Sequence, residues 1–433
     1  MRNLLKHTAM AASVATLALV ALPTAAQDVV ITNATIGIGD GSEPIDNATI
    51  VVRGGKVVAV GQNLRAAPSL PVLDGTGTWI TPGLVAAVTN LGLSDVSGVS
   101  ESNDQSAASS RFNAALDVTP AINPSSQHIL VGRANGVTRA VVTGNPGKAI
   151  FAGQGAIIDT GADPDPITQA KAFQFITLSE RGARIAGGSR TASHVELRNA
   201  LREASDFAAG RWSGEDNLLT RADAQALKPA VQGRQKMLVQ VDRASDIRAV
   251  IALGKEFAAL DIVLVGATEG WLVADELAQA GIPVIAESLQ SLPERFEQLA
   301  ATQSNIGRMR AAGVTVALNA QTIRNLHHLA QHAGNLVALT KVPRATGLSW
   351  GEALATITSR PAEAVGMGGK IGVLAPGAIG DLVVWDGDPL EVSSTPLRVF
   401  VEGVEQPLDN HQTRLRERYR DLDESDLPKA YDW

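Results

Sequence analysis

The chain of 433 residues contains no cysteine, and this absence excludes both disulfide bonds and thiolate metal ligands. A basic surplus is also missing, because 37 lysines and arginines face 44 acidic residues. Nucleic acids and anionic membranes both require a basic face, so neither is an expected partner. After residue 26, no apolar run is long enough to cross a bilayer. With 45% hydrophobic residues, the chain must be stabilised by burial of its core.

The first 26 residues have the pattern of a secretory signal peptide. Arg2 and Lys6 give a positive start, residues 8–22 are almost wholly apolar, and Ala25 and Ala26 supply small residues for cleavage after about Ala26. The alternative is a transmembrane anchor, but an apolar run of about fifteen residues is short for that purpose. Loss of Arg2 and Lys6 changes the formal net charge from −7 to −9. Together with the absence of cysteine, the leader predicts a periplasmic or secreted protein.

Both ends of the remaining chain have short β-strand patterns. Residues 28–78 contain alternating apolar runs, with Gly54-Gly55 as a two-residue hairpin turn, and residues 381–386 and 398–403 form similar runs. We therefore predict a small β-sandwich built from residues 27–78 plus 370–408. Residues 79–369 are assigned to a central domain and residues 409–433 to a charged C-terminal tail.

In the central domain, apolar strand-like runs alternate with helical stretches, which predicts a parallel α/β sheet. The strand candidates are 79–85, 138–143, 154–159, 173–178, 236–241, 262–267, 283–288 and 315–320. The clearest helices are 194–209, 244–258, 270–281, 321–339 and 350–357. Eight such units would close a TIM barrel, although an open doubly wound sheet fits the same alternation. The Gly-rich phosphate loop that an open sheet would invite is missing after the first strand.

Several motifs resemble the amidohydrolase superfamily, in particular its imidazolonepropionase-like branch. They are Trp79–Leu84 after the N-terminal hairpin, Ala267–Leu272, Ser359–Gly366, Ile371–Gly377 and Gly380–Pro389. The resemblance spans nearly all of the chain after the leader. It implies an α/β fold consisting of a distorted TIM (β/α)8 barrel with a small β-sandwich domain, and a metal-dependent hydrolase acting on C–N bonds.

The metal ligands that this resemblance implies are nevertheless missing from the chain. The two histidines of the first barrel strand fall on Val88 and Asn90, those of the fifth on Gln240 and Asp242, and that of the sixth on Gly266. The aspartate of the eighth strand falls on Gln321. Valine has no lone pair and neutral amides are poor zinc ligands. We therefore expect no cofactor, with zinc or another divalent metal bound only if other residues replace the ligands.

Two acidic residues at the predicted barrel mouth, Asp242 and Glu269, are the candidate catalytic groups. They could act as acid and base without a metal if their environments drive their pKa values apart. The structural alternative pairs Asp242 with Arg243 or another mouth cation and makes Glu269 a cap of the following helix. The candidate ligand-binding residues at the same mouth are Asn90, Gln240, Arg243, Asn319 and Gln321.

Other features favour ordinary structural roles. His327, His328 and His332 are interpreted as an exposed or packing cluster on a helix, although His328 and His332 have the i, i+4 spacing of a shared metal. Residues 144–148 and 153–155 are interpreted as rim loops. The basic run 413–420 is interpreted as a solvated helix, and Tyr431 and Trp433 could anchor the tail on the barrel or on a partner.

The leading hypothesis is a non-catalytic paralogue that binds a small molecule in the barrel mouth or supports an active amidohydrolase partner. The alternative is an active hydrolase of non-peptide or dipeptide C–N bonds that uses remapped ligands. A third hypothesis is a homo-oligomer or other assembly in which a second chain completes the site. An enzyme needs several convergent titratable groups at the mouth, whereas a binding protein needs only a shaped pocket.

Overall fold

A computed structural model describes residues 27–64, 70–96, 98–214, 217–321 and 326–420. The leader 1–26, Tyr431 and Trp433 lie outside these residues. The described strands are β1 Val29–Ile36, β2 Ile45–Arg53, β3 Lys56–Gln62, β4 Val72–Asp74, β5 Trp79–Pro82, β6 Leu84–Thr89, β7 Val137–Val142, β8 Phe151–Asp159, β9 Ile167–Thr177, β10 Lys236–Val241, β11 Asp261–Gly266, β12 Val284–Ala286, β13 Val316–Leu318, β14 Leu382–Trp385, β15 Pro396–Val401 and β16 Val404–Glu405.

The described α-helices are α1 Gln127–Ala134, α2 Glu180–Ile185, α3 Arg190–Ala208, α4 Arg221–Val231, α5 Ala244–Glu256, α6 Ala274–Ala280, α7 Asn305–Ala311, α8 Leu329–Ala338, α9 Trp350–Ala355, α10 Ser359–Ala364 and α11 His411–Tyr419. The predicted helices over 194–209 and 244–258 are confirmed as α3 and α5. Helix α3 shows why the sequence predicts them, because its buried residues are spaced three or four apart, as in Leu197, Leu201 and Ala204.

Strands from the two ends of the chain form one sheet, in the order β16-β15-β14-β5-β1-β2-β3, with β4 paired to β1. The junction is the antiparallel pair β5–β14, in which Trp79 lies opposite Trp385. At the predicted hairpin, Gly54 and Gly55 have φ angles of +53° and +74°, which a tight turn between β2 and β3 requires. Ile31, Ile50 and Phe400 belong to its buried core. The predicted union of the two chain ends is therefore confirmed.

The other sheet contains eight strands in the order β13-β12-β11-β10-β9-β8-β7-β6. Its two edges meet through a bridge between Ala87 and Asn319, with Ala320 N donating to Ala87 O at 2.8 Å. The sheet is thus a nearly closed, distorted barrel, as the resemblance implies, and not an open doubly wound sheet.

One barrel strand differs from the parallel arrangement that the sequence pattern predicts. Strand β8 is antiparallel to both β7 and β9. Parallel neighbours need a crossover connection, and residues 143–150 between β7 and β8 are too few for one. Gly153 and Gly155 lie inside β8 rather than in a rim loop, and the ring of Phe173 packs where a Cβ at Gly155 would stand.

The predicted strand 79–85 is divided between the two sheets at Gly83. Strand β5 pairs with β14, while β6 continues into the barrel. Gly83 N donates to Asp381 O at 3.0 Å, and a Cβ at Gly83 would stand 1.9 Å from Thr138 Oγ1. A glycine is therefore required where the chain passes from one sheet to the other. No helix in the described ranges is long and apolar enough to cross a membrane.

Candidate functional site at the barrel mouth

The carboxyl ends of the parallel barrel strands bring most of the sequence-predicted site residues to one face of the barrel. Asn90 follows β6, Asp242 follows β10, and Asn319 and Gln321 follow β13. Glu269 comes three residues after the end of β11. Barrel enzymes build their sites at this face because the strand ends converge there.

Asp242 is buried, with 1% of its surface exposed, and its carboxylate is surrounded by donors. Its Oδ1 accepts hydrogen bonds from Thr268 Oγ1 at 2.7 Å and Thr268 N at 3.2 Å. Its Oδ2 lies 3.3 Å from Arg295 Nη2. Burial raises the pKa of Asp242, while the Thr268 and Arg295 contacts oppose that rise. The mouth cation that pairs with Asp242 is thus Arg295, whereas Arg243 binds Asp246 at 2.7 Å.

Glu269 is also buried, and its carboxylate joins two backbone segments. Its Oε2 accepts from Ala244 N at 3.0 Å, and its Oε1 accepts from Ala300 N at 3.0 Å. Ala244 is the first residue of α5, so Glu269 caps the helix before it in the chain. The structural alternative predicted a cap of the following helix, α6. Both oxygens of Glu269 are occupied by backbone donors.

Amide side chains connect the two edges of the barrel at this face. Gln321 Nε2 donates to Asn90 Oδ1 and to Asn145 Oδ1, both at 3.2 Å. Asn90 Nδ2 donates to Thr143 O at 2.6 Å, and Asn319 Oδ1 accepts from Gln321 N at 3.0 Å. Three of the five positions predicted to bind a ligand, Asn90, Asn319 and Gln321, thus form a hydrogen-bonded chain that ties β13 to β6 and to the β7–β8 loop.

A cavity of about 270 Å³ lies on one side of this amide chain. Its lining includes the predicted ligand-binding residue Gln240. The other lining residues are Asn145, Pro146, Phe175, Ser179, Arg181, Arg184, Arg295, Glu297 and Gln321. A second cavity of about 340 Å³ lies beyond Asn90 and Gln321 and includes His128, His327 and His411. His327 is therefore beside the barrel mouth, although His328 and His332 do not line either cavity.

Sequence reasoning missed the loop between β12 and α7, which supplies the main charges of the site. Arg295 Nε lies 3.3 Å from Glu297 Oε1, and Glu297 Oε2 accepts from Glu180 N at 2.6 Å and from Arg190 Nη2 at 3.2 Å. Burial raises the pKa of Glu297. This loop lacks the periodicity of a helix or strand, so no local signal in the sequence indicates that it folds over the mouth.

Glu287, directly after β12, is another carboxyl group at this face with a raised pKa. Burial raises its pKa to about 7, with a further contribution from the nearby negative charge of Asp242. A carboxyl group with such a pKa can hold or release a proton near neutral pH.

Comparison with known proteins shows which family this chain resembles. Residues 212–405 match a family model described as "Amidohydrolase family". This match, together with the relative described next, supports the resemblance to the amidohydrolase superfamily. The curated relative Amidohydrolase tasK of Hapsidospora irregularis is 23% identical over 401 residues, which cover 82% of this chain and 39% of that protein. The chain thus spans about two fifths of the length of that relative.

Solved structures with the same fold span nearly the whole of this chain. An amidohydrolase from Thermotoga maritima MSB8 superposes with a TM-score of 0.76 and 24% identity, covering 87% of this chain and 99% of that one. An adenosine deaminase from Xanthomonas campestris with bound zinc has a TM-score of 0.53 and 15% identity, covering 92% of this chain and 98% of that one. At these identities the likeness establishes the barrel fold alone.

Two of the positions that the resemblance assigns to metal ligands, Val88 and Gly266, have no side-chain atom that could bind a metal ion. Val88 is fully buried with φ at +56°, and Gly266 has φ at +95°. A Cβ at Gly266 would stand 2.7 Å from Asp242 Oδ1, so the carboxylate occupies the space that a ligand side chain would need. Among the residues that the structure describes, no group of three or more His, Cys, Asp or Glu side chains could hold a metal.

Proposed function

We propose that this protein is a non-catalytic member of the amidohydrolase superfamily that binds a small molecule at the barrel mouth without a metal. The observation that carries the proposal is the state of the two candidate catalytic carboxylates. Asp242 is held by Thr268 and Arg295, and Glu269 is held by two backbone N–H groups. Carboxylates with such partners maintain the loops of the mouth, because each of their oxygens already accepts a hydrogen bond from the protein.

The metal content of residues 27–433, purified and dialysed against zinc, manganese and cobalt, tests this proposal. A family site would hold about one or two ions per chain. We expect plasma mass spectrometry to find less than a tenth of that amount in a folded protein. Stoichiometric metal that remains bound after dialysis, together with a higher Tm when the protein is loaded with metal, would overturn the proposal. Screens for hydrolysis would then be justified.

A second candidate function is supported by Glu287. With its pKa raised to about 7 beside the buried Asp242, this pair could supply the acid and base for C–N bond hydrolysis without zinc. The test is hydrolysis of amides, lactams and dipeptides in the presence of a chelator. Activity that disappears in both Glu287→Gln and Asp242→Asn would favour this alternative; activity equal in wild type and variants would reject it.

We also propose that the protein is exported, with residues 1–26 as a signal peptide, and that an active paralogue or a second copy of the chain is its partner. The support for export is the leader pattern and the absence of cysteine. N-terminal sequencing of protein from the periplasm would give Gln27 as the first residue if cleavage follows Ala26. Light scattering would give the molar mass in solution and so distinguish a homo-oligomer from a monomer.

A further inference from the structure

We infer that the cavity beside Gln240 binds a small organic dianion, held by the guanidinium groups of Arg181 and Arg184. The inference rests on the proposed function and specifies its ligand. Both arginines lie on α2, three residues apart, and helical residues with this spacing occupy the same face. Both line the cavity of about 270 Å³ at the barrel mouth.

The cavity has an excess of positive charge, which favours binding of an anion. Arg295 is compensated by Asp242 at 3.3 Å, and Glu297 is compensated by Arg190 at 3.2 Å. Arg181 donates to the uncharged Pro146 O at 2.6 Å, and no ion pair with another described residue involves Arg181 or Arg184. Two positive charges thus remain at the cavity, which attracts a ligand with two negative charges.

The rest of the lining favours an organic ligand over a bare inorganic ion. Gln240 is half-buried, and its side-chain amide makes no hydrogen bond with the described residues. It therefore offers both a donor and an acceptor to a polar group of the ligand. Phe175 is 2% exposed and, with Pro146, gives the cavity an apolar wall. Guanidinium groups recognise carboxylates and phosphates alike through paired hydrogen bonds.

Titration calorimetry with three probes of similar size tests the inference. Glutarate and glycerol 3-phosphate are dianions from two sources, and glutaramide is the neutral counterpart of glutarate. We expect at least one dianion to bind with a Kd below about 1 mM and glutaramide to bind at least about tenfold more weakly. Raising the salt concentration should weaken binding of the dianion, since the arginines are exposed to solvent.

The decisive variant is Arg181→Gln/Arg184→Gln, which removes both charges and keeps polar side chains. We expect it to weaken dianion binding by about a hundredfold, the product of about tenfold for each charge-assisted contact. Arg221→Gln is the matched control, because Arg221 is exposed at the start of α4 and lies outside the cavity. It should bind the dianion like wild type. Circular dichroism of all variants confirms that they are folded.

The outcomes separate this inference from the proposed function. Binding of glycerol 3-phosphate but not glutarate identifies the ligand as a phosphate ester and supports the inference. Equal binding of glutaramide, no dianion binding up to about 10 mM, or a double variant that binds like wild type would overturn it and leave a metal-free binding protein intact. Stoichiometric metal or hydrolysis would overturn the proposed function whether or not a dianion binds.

Discussion

At the scale of single residues, Gly266 shows how closely the backbone packs against the Asp242 side chain at the barrel mouth. We predict that Gly266→Ala lowers the free energy of unfolding by about 3 kcal/mol, because it combines a positive φ with the loss of hydrogen bonds to Asp242. The φ angle is +95°, and the new Cβ would stand 2.7 Å from Asp242 Oδ1. Urea denaturation followed by circular dichroism measures the change.

The control for this prediction is Gly377→Ala. Gly377 has a similar φ of +89°, but nothing lies within 4 Å of the position of its Cβ. This variant should lose only the backbone contribution of about 1 to 2 kcal/mol. Equal losses in the two variants would show that Asp242 does not occupy the space beside Gly266.

A second prediction at the scale of single residues concerns Glu287 and the pH dependence of stability. The pKa of Glu287 is about 7 in the folded protein, whereas an unperturbed glutamate has a pKa of 4.5. Between these two pH values the folded state therefore binds more protons than the unfolded state. Stability from this group is present below pH 4.5 and is lost as pH rises towards 7. We predict that Glu287→Gln is more stable than wild type at pH 8, by up to about 3 kcal/mol.

Thermal unfolding of Glu287→Gln and wild type, measured in parallel from pH 4 to 8, checks this expectation. The difference in Tm between the two proteins should be smallest at pH 4 and should increase as the pH rises to 8. A difference that is independent of pH, or that shrinks towards pH 8, would contradict the raised pKa.

At the scale of elements, α11 depends on its N-terminal cap. It has no buried residue, and Asn410 Oδ1 accepts from Gln412 N at 2.9 Å while Asn410 N donates to Thr413 Oγ1 at 3.0 Å. We predict that Asn410→Ala destabilises α11 by about 1 kcal/mol. Amide exchange across 411–419 should quicken while the barrel stays protected.

Asn410→Asp serves as the control for the cap, because an aspartate oxygen accepts the same backbone hydrogen bonds. It should keep slow exchange in α11. Fast exchange in both variants would mean that the helix is held by contacts other than the cap. Because His411 and Gln412 line the cavity of about 340 Å³, the alanine variant would also open that cavity to solvent.

Elements with strong local patterns were predicted well from the sequence, and those fixed by long-range pairing were not. The period of α3 and α5 and the Gly54-Gly55 turn are local signals, and the structure confirms them. The antiparallel direction of β8 depends on which strands it meets, and its apolar pattern is the same in either direction. The strand ends at the barrel mouth follow apolar strand patterns, so the sequence locates them. Arg295 and Glu297 lie in a loop without periodicity, and the sequence does not place them at the mouth.

At the scale of the whole molecule, a buried ion pair joins the barrel to the second sheet. Arg139 of β7 is fully buried, with Nε 2.6 Å from Asp381 Oδ2 and Nη2 3.2 Å from Oδ1. We predict that Asp381→Ala costs about 3 to 5 kcal/mol, because it leaves a buried guanidinium without its main partner. Chemical denaturation measures this loss.

The double variant Arg139→Met/Asp381→Ala is the informative companion. With the buried guanidinium removed as well, it should be more stable than Asp381→Ala alone, although buried Asp159 then loses Arg139, which lies 3.8 Å away. A double variant that loses the sum of both single effects would show that the ion pair itself, and not the isolated charge, determines the stability.

The pairing of β5 with β14 has a consequence for how the protein is made. About 300 residues separate these neighbouring strands, so at about 5 to 20 residues per second a ribosome needs about 15 to 60 seconds to deliver the second after the first. During that time the open edge of β5 can pair with any other strand that it meets. In a newly made chain this edge of β5 therefore has no partner until β14 has been synthesised, and truncation before residue 382 leaves it permanently unpaired.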